Sequence, residues 1–162
     1  MRKIAAILAA LVLTSCGGKG REEEPTRTYP AEVPATAEYV IGYGESLHVQ
    51  GGLALQFTTL VEDSRCPLNV ECIWAGNARI LLTATITDST GHGSSQAMEL
   101  NTNSRFPASS RIDASYNVQL RKLEPYPGAD AQTGAVSIPV SSYEATVFVE
   151  RVVTHQASQG PQ

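Results

Sequence analysis

Aromatic residues, cysteines and clustered basic residues are scarce in this chain, and long apolar runs are missing. It has one tryptophan, three phenylalanines, three cysteines and two methionines. The 12 Lys and Arg are scattered and outnumbered by 16 Asp and Glu. Both a nucleic-acid partner and adhesion to anionic headgroups through a basic patch need clustered cations, so this balance excludes them. The longest apolar run, residues 4–13, has ten residues, the length of a signal-peptide core and about half that of a spanning helix. No helix-period segment, glycine-rich phosphate loop, calcium-loop pattern or Gly-x-Ser-x-Gly elbow occurs. The histidines His48, His92 and His155 each stand alone, without ligand spacing. Glu62 and Asp63 are adjacent, so on a strand they face opposite sides and form no carboxylate pair. The expectation is a non-enzyme with no catalytic residue, no cofactor and no metal; an enzyme whose site is assembled from residues distant in sequence is a second alternative.

At the N-terminus, Arg2 and Lys3 precede the apolar run, which ends in Leu13-Thr14-Ser15-Cys16. That tetrad resembles the lipobox of bacterial lipoproteins, an aliphatic residue, two small residues and then Cys. The resemblance implies that residues 1–15 are a cleaved signal peptide and that Cys16 carries diacylglycerol and an added acyl chain such as palmitate. Each buried CH₂ contributes roughly 0.8 kcal/mol, so two or three chains hold a protein where one is marginal. The lipid bilayer is therefore the first expected partner, and the cell envelope the expected location. Gly17 is not the Asp that signals inner-membrane retention, so the outer membrane is preferred in a Gram-negative host. Cleavage removes Arg2 and Lys3 and leaves ten basic residues against sixteen acidic ones, a net charge of −6.

With Cys16 assigned to lipid, Cys66 and Cys72 form an even pair in an oxidising compartment, which predicts a disulfide. No further Cys or nearby His completes a metal set, and the five intervening residues do not fit a thioredoxin-like redox site.

Residues 16–37 read as the lipidated Cys and a flexible tether. They include Glu22 to Glu24 and prolines at 25, 30 and 34, and they lack apolar periodicity. A flexible chain of this length has an r.m.s. reach of roughly 25 Å. Residues 38–155 read as one domain, with apolar residues at period 2, and 156–162 as a disordered tail. Leu53, Leu55, Phe57, Thr59 and Val61 form one predicted apolar face; Ile80, Leu82, Ala84 and Ile86 form another. Residues 88–93 supply turn chemistry, and a strand near 96–100 is expected to return beside 78–87. Further alternations start at Tyr116 and at Tyr143, the latter running to Val153, and a short strand near 46–50 opens the domain. The predicted fold is all-β with about six or seven strands, an antiparallel β-sandwich (Ig-like) or a partly open barrel.

Between the second and third predicted strands lies EDSRCPLNVECIWAGNA, residues 62–78. This string is similar to a signature of bacterial lipoprotein and secreted domains that share DSRCP, a short spacer and C-[IV]-W-A-G, and the likeness covers most of residues 45–153. It implies an extracytoplasmic domain and brings no activity with it. From the residues themselves, a Cys66–Cys72 ring stiffened by Pro67 contributes roughly 2 kcal/mol by loop-entropy reasoning. Trp74 lies two residues beyond Cys72, where alternation turns the indole onto the bridge. The plainer reading is a self-contained corner in which Asp63 caps turn amides and Arg65 pairs with Glu62 or Asp63. The functional reading is a recognition loop presenting Asp63, Arg65, Leu68, Asn69 and Trp74 on a stiff scaffold. The expected role is a membrane-anchored binding or envelope-structural module with an envelope protein as candidate partner. A protease inhibitor presenting the 66–72 loop is the first alternative.

Overall fold

The computed structural model describes residues 34–130 and 134–152. The expected signal peptide, Cys16, the tether up to residue 33, Val153, His155 and the tail at 156–162 lie outside the described residues. The strands are β1 (Ala37–Gly42), β2 (Ser46–Val49), β3 (Leu53–Asp63), β4 (Ala78–Thr87), β5 (Gly93–Asn101), β6 (Ser109–Ile112), β7 (Tyr116–Glu124), β8 (Ala129–Asp130), β9 (Gly134–Ala135) and β10 (Glu144–Arg151). Eight of them build two four-stranded sheets, ordered β1-β10-β7-β6 and β2-β3-β4-β5, while β8 and β9 form a small separate pair. The pairings in both sheets are antiparallel. The sheets face each other across one core and are not closed into a barrel, so the fold is an all-β sandwich.

Period-2 patterning accounts for that core. Leu53, Leu55 and Phe57 on β3 and Ile80, Leu82 and Ala84 on β4 are buried, and they meet Val118, Leu120, Ala145, Val147 and Val149 from the opposite sheet. One pleated face of each strand is thereby dry and the other wet. The 88–92 turn joins β4 to β5 as its glycines and Asp88 suggest: Asp88 Oδ1 accepts from the amides of Thr90 and His92, and Gly91 takes a positive φ of 85°.

The strand layout departs from the sequence reading in strand number, in where packing starts and in the face of β3. The sheets hold eight strands rather than six or seven, because β1 and β6 are added. Both are short edge strands with a single fully buried apolar residue, Ile41 and Ile112 respectively, too little to register as alternation. Strand β1 begins at Ala37 and Ala35 packs on the core, so ordered packing starts before the expected boundary at 38. In β3 the expected face breaks after Phe57. The pairing runs Phe57↔Leu82 and then Thr59↔Leu81, and it shifts again between Leu60 and Glu62. Each extra residue reverses which side the following ones face. Leu60 therefore packs on the core, while Thr59 and Val61 point to solvent.

The register gives the sandwich two distinct ends. At one, Tyr116 Oη donates to the Gln50 carbonyl at 3.0 Å, and the Arg151 amide donates to Thr36 Oγ1 at 3.2 Å. The chain enters β1 here. At the other end β3 finishes at Asp63, β4 starts at Ala78, β5 finishes at Asn101 and β7 finishes at Glu124. The loop carrying the cysteines projects from this second end.

Candidate functional site

The 64–77 loop begins as a continuation of the β3–β4 hairpin. The Ser64 amide donates to the Asn77 carbonyl at 2.7 Å and the Cys66 amide to the Ala75 carbonyl at 3.0 Å. Cys66 and Cys72 are joined by a disulfide with Cα atoms 6.0 Å apart. Gly76 closes the hairpin extension at φ +72°, where a Cβ would overlap the Ser64 carbonyl oxygen, so no other residue fits without moving the backbone.

Beneath the loop lies a buried polar knot. Asp63 Oδ1 accepts from the Arg65 amide at 3.2 Å and from Arg65 Nε at 2.8 Å, while Oδ2 accepts from Arg65 Nη2 at 2.6 Å. The same guanidinium donates through Nη1 to the Leu123 carbonyl and through Nη2 to the Pro125 carbonyl at 2.9 Å. Its Cζ sits 4.6 Å from the centre of the Tyr126 ring. Tyr143, immediately before β10, donates to Asp63 Oδ2 at 2.9 Å. Burial pushes the Asp63 carboxyl up, but the hydrogen bonds from Arg65 and Tyr143 outweigh it and hold the group below the ordinary carboxylate value. Burial and the Asp63 hydrogen bond together push the Tyr143 hydroxyl up to about 12. Such a tyrosine keeps its proton at neutral pH and serves as a fixed donor.

A second polar network ties the loop to the β5–β6 connection. Asn77 Nδ2 donates to Asn101 Oδ1 at 2.8 Å, and Asn77 Oδ1 accepts from the Asn103 amide at 3.0 Å. Asn103 Nδ2 donates to the Gly76 carbonyl at 2.8 Å, and its Oδ1 accepts from the Arg105 amide at 3.0 Å. Two loops, joined by bonds that span 26 and 27 residues of sequence, are thus locked in one geometry.

Above this frame large apolar side chains lie exposed. Ile73 is 90 %, Trp74 72 % and Phe106 51 % exposed. With Glu62, Asn103 and Arg105 they line an open hollow of about 550 Å³. On the loop's other flank Leu68 and Val70 are also exposed.

The structure separates the residues that the sequence reading grouped together. Of the two partners expected for Arg65, Glu62 and Asp63, the structure takes Asp63, and both side chains are buried, with exposures of 7 % for Asp63 and 5 % for Arg65. Leu68 and Asn69 are exposed. The Leu68 amide is tied to the Pro127 carbonyl at 2.9 Å, and Asn69 holds φ +67°, a left-handed conformation that Asn tolerates better than most residues. The segment after Pro67 therefore turns rather than running extended. Trp74 does not cover the bridge as alternation implied: no strand pairing extends past Ala75, so the period-2 argument does not apply there. Phe106 and Arg105 escaped the sequence reading because they lie thirty residues downstream in a loop, and only the asparagine network brings them alongside Trp74.

His48 is exposed on β2, and His92 Nδ1 lies 2.8 Å from Thr90 Oγ1 in the 88–92 turn. Among the described residues, no three His, Cys, Asp or Glu side chains converge in a way that could hold a metal ion. No described helix is long and apolar enough to cross a membrane. No protein family, curated protein or solved structure matches the chain.

Proposed function

We propose that this protein is a lipid-anchored bacterial envelope lipoprotein whose β-sandwich acts as a binding module through its disulfide-loop end. The observation that carries the reading is the exposure of Ile73, Trp74 and Phe106 side by side on a frame fixed by a disulfide, a buried Arg65–Asp63 pair and an asparagine network. Large apolar side chains are costly to leave in water, and when grouped on a stiff loop they mark an interaction surface rather than a fold requirement. Support for the anchor comes from the lipobox resemblance of Leu13-Thr14-Ser15-Cys16. The inhibitor alternative is less favoured, because the segment after Pro67 is pinned at Leu68 and turns at Asn69. The buried Asp63–Arg65–Tyr143 knot favours a structural rather than a catalytic use of those ionisable groups.

Two variants test the reading. Cys16→Ala is expected to move the protein from the membrane to the soluble fraction; wild-type protein that is soluble, with Cys16 unmodified by mass spectrometry, would remove the anchor. Trp74→Ala is expected to abolish crosslinking of partners in intact membranes while leaving the fold in place. Unchanged crosslinking would move the binding surface elsewhere.

A further inference from the structure

The hollow beside Trp74 combines three properties. Three large apolar side chains, Ile73, Trp74 and Phe106, are exposed on it among polar neighbours. Its geometry is fixed before any partner arrives, because Asn103 bonds both the Gly76 carbonyl and Asn77 Oδ1 and so sets the spacing between the two contributing loops. Its charge is unbalanced. Glu62 on the rim is engaged by Arg79, with Nη2 to Oε2 at 3.4 Å, whereas the exposed guanidinium of Arg105 has no hydrogen-bond or ion-pair partner among the described residues. An unneutralised cation beside exposed aromatic side chains is complementary to a carboxylate next to an apolar group.

Position adds a fourth constraint. The chain enters β1 at the end of the sandwich where Arg151 meets Thr36, and the hollow lies at the opposite end, beyond Asp63 and Asn101. The eleven residues of β3 alone span about 36 Å. A protein held by Cys16 would therefore carry the hollow at the end of the domain remote from its point of attachment.

We propose that this hollow binds an extended peptide segment of a partner protein, presenting a bulky apolar side chain next to Asp or Glu, at the end of the domain remote from its attachment. The inference rests on the binding-module reading, and only its orientation rests on the anchor. The apolar side chain enters between Trp74 and Phe106, and the carboxylate meets Arg105. A volume of about 550 Å³ admits a few extended residues rather than a whole helix. Tryptophan and arginine are the side chains that most often dominate protein interfaces, and a preorganised frame spares the ordering entropy of the loop. A neutral glycan offers no carboxylate for Arg105, and the hollow is walled by fixed aromatic side chains into which a single bulky apolar side chain fits.

The test is selection of a random-peptide display library on full-length protein in detergent, followed by affinity measurement of the enriched peptides. Enriched sequences are expected to pair Leu, Ile, Phe or Trp with a neighbouring Asp or Glu. Trp74→Ala and Arg105→Glu should each weaken binding about tenfold or more, Arg105→Lys should keep most of it, and Thr90→Ala at the opposite end should have no effect. No enrichment, or enrichment indifferent to Trp74 and Arg105, overturns the proposal. Vesicles of phosphatidylethanolamine and phosphatidylglycerol, and neutral glycan fragments, are run in parallel; binding of either through Trp74, in place of peptide, also overturns it. Mass spectrometry of Cys16 in the same preparation separates the two readings. An unmodified Cys16 removes the orientation, and the peptide result stands or falls without it.

Discussion

Tyr143 and Asp63 are 80 residues apart in sequence, one just before β10 and the other ending β3 of the opposite sheet, yet the tyrosine hydroxyl lies 2.9 Å from the carboxylate. Because Arg65 holds the other side of the same carboxylate and reaches the carbonyls of Leu123 and Pro125, one buried acid joins β3, β7, β10 and the base of the disulfide loop. Removing any member leaves a charge or a donor stranded in a dry site, and the resulting costs are readable.

Arg65→Ala is expected to destabilise the domain by about 3–5 kcal/mol, because Asp63 then remains as an uncompensated buried charge. Arg65→Lys should recover little of this, since an ammonium lacks the planar fork that serves the carboxylate and two carbonyls together. Denaturant melts of the two variants check this. A variant Arg65→Ala as stable as the parent would refute the structural role.

Stability should fall at both extremes of pH through the same pair. The Tyr143 hydroxyl is pushed from 10.0 to about 12 in the folded protein, so the folded state holds the proton more tightly than the unfolded chain. Its contribution is complete below pH 10 and is lost as pH rises from 10 through about 12. Asp63 is shifted the other way, so its contribution is present above its unfolded value near 3.8 and is lost as pH falls below that. In Tyr143→Phe the alkaline loss at pH 10–12 should shrink. Melting temperatures across the pH range, compared between the two proteins, decide the matter.

Trp74 is the one tryptophan in the chain and is 72 % exposed, so its fluorescence reports on the loop alone. Emission should resemble that of free indole in water and be readily quenched by iodide. A blue-shifted, protected emission in the free protein would contradict the exposed placement. Trp74→Ala and Ile73→Ser should each change stability by no more than about 0.5 kcal/mol, because neither side chain is packed.

Cys66→Ser is expected to lower stability by roughly 2 kcal/mol without unfolding the sandwich, since the sheets have a core of their own. Loosening of the loop should appear as lower fluorescence anisotropy of Trp74. Gly76→Ala should be as harmful or worse, because it forces a Cβ against the Ser64 carbonyl. The two variants differ in kind, one releasing the ring and the other misplacing its base, and circular dichroism with anisotropy distinguishes them.

Period-2 alternation was sufficient to determine that the chain is all-β, that 53–57, 80–86, 116–120 and 145–149 supply the core, and that residues 88–92 turn back on themselves. Cysteine parity determined the disulfide, and local charge narrowed the partner of Arg65 to Glu62 or Asp63, of which the structure takes Asp63. These are local properties, fixed by residue order because side chains two apart share a strand face and neighbouring charges share a turn. Tertiary structure alone decided the rest. The extra residues in β3 that turn Val61 outward arise from pairing with β4, which no single strand encodes. Strands β1 and β6 form because sheet edges exist for them to join. The burial of Arg65 depends on carbonyls 58 and 60 residues away. The hollow between Trp74 and Phe106 exists only because Asn77 and Asn103 meet across two loops. Such sites depend on contacts between distant segments, and residue order carries no periodic trace of them.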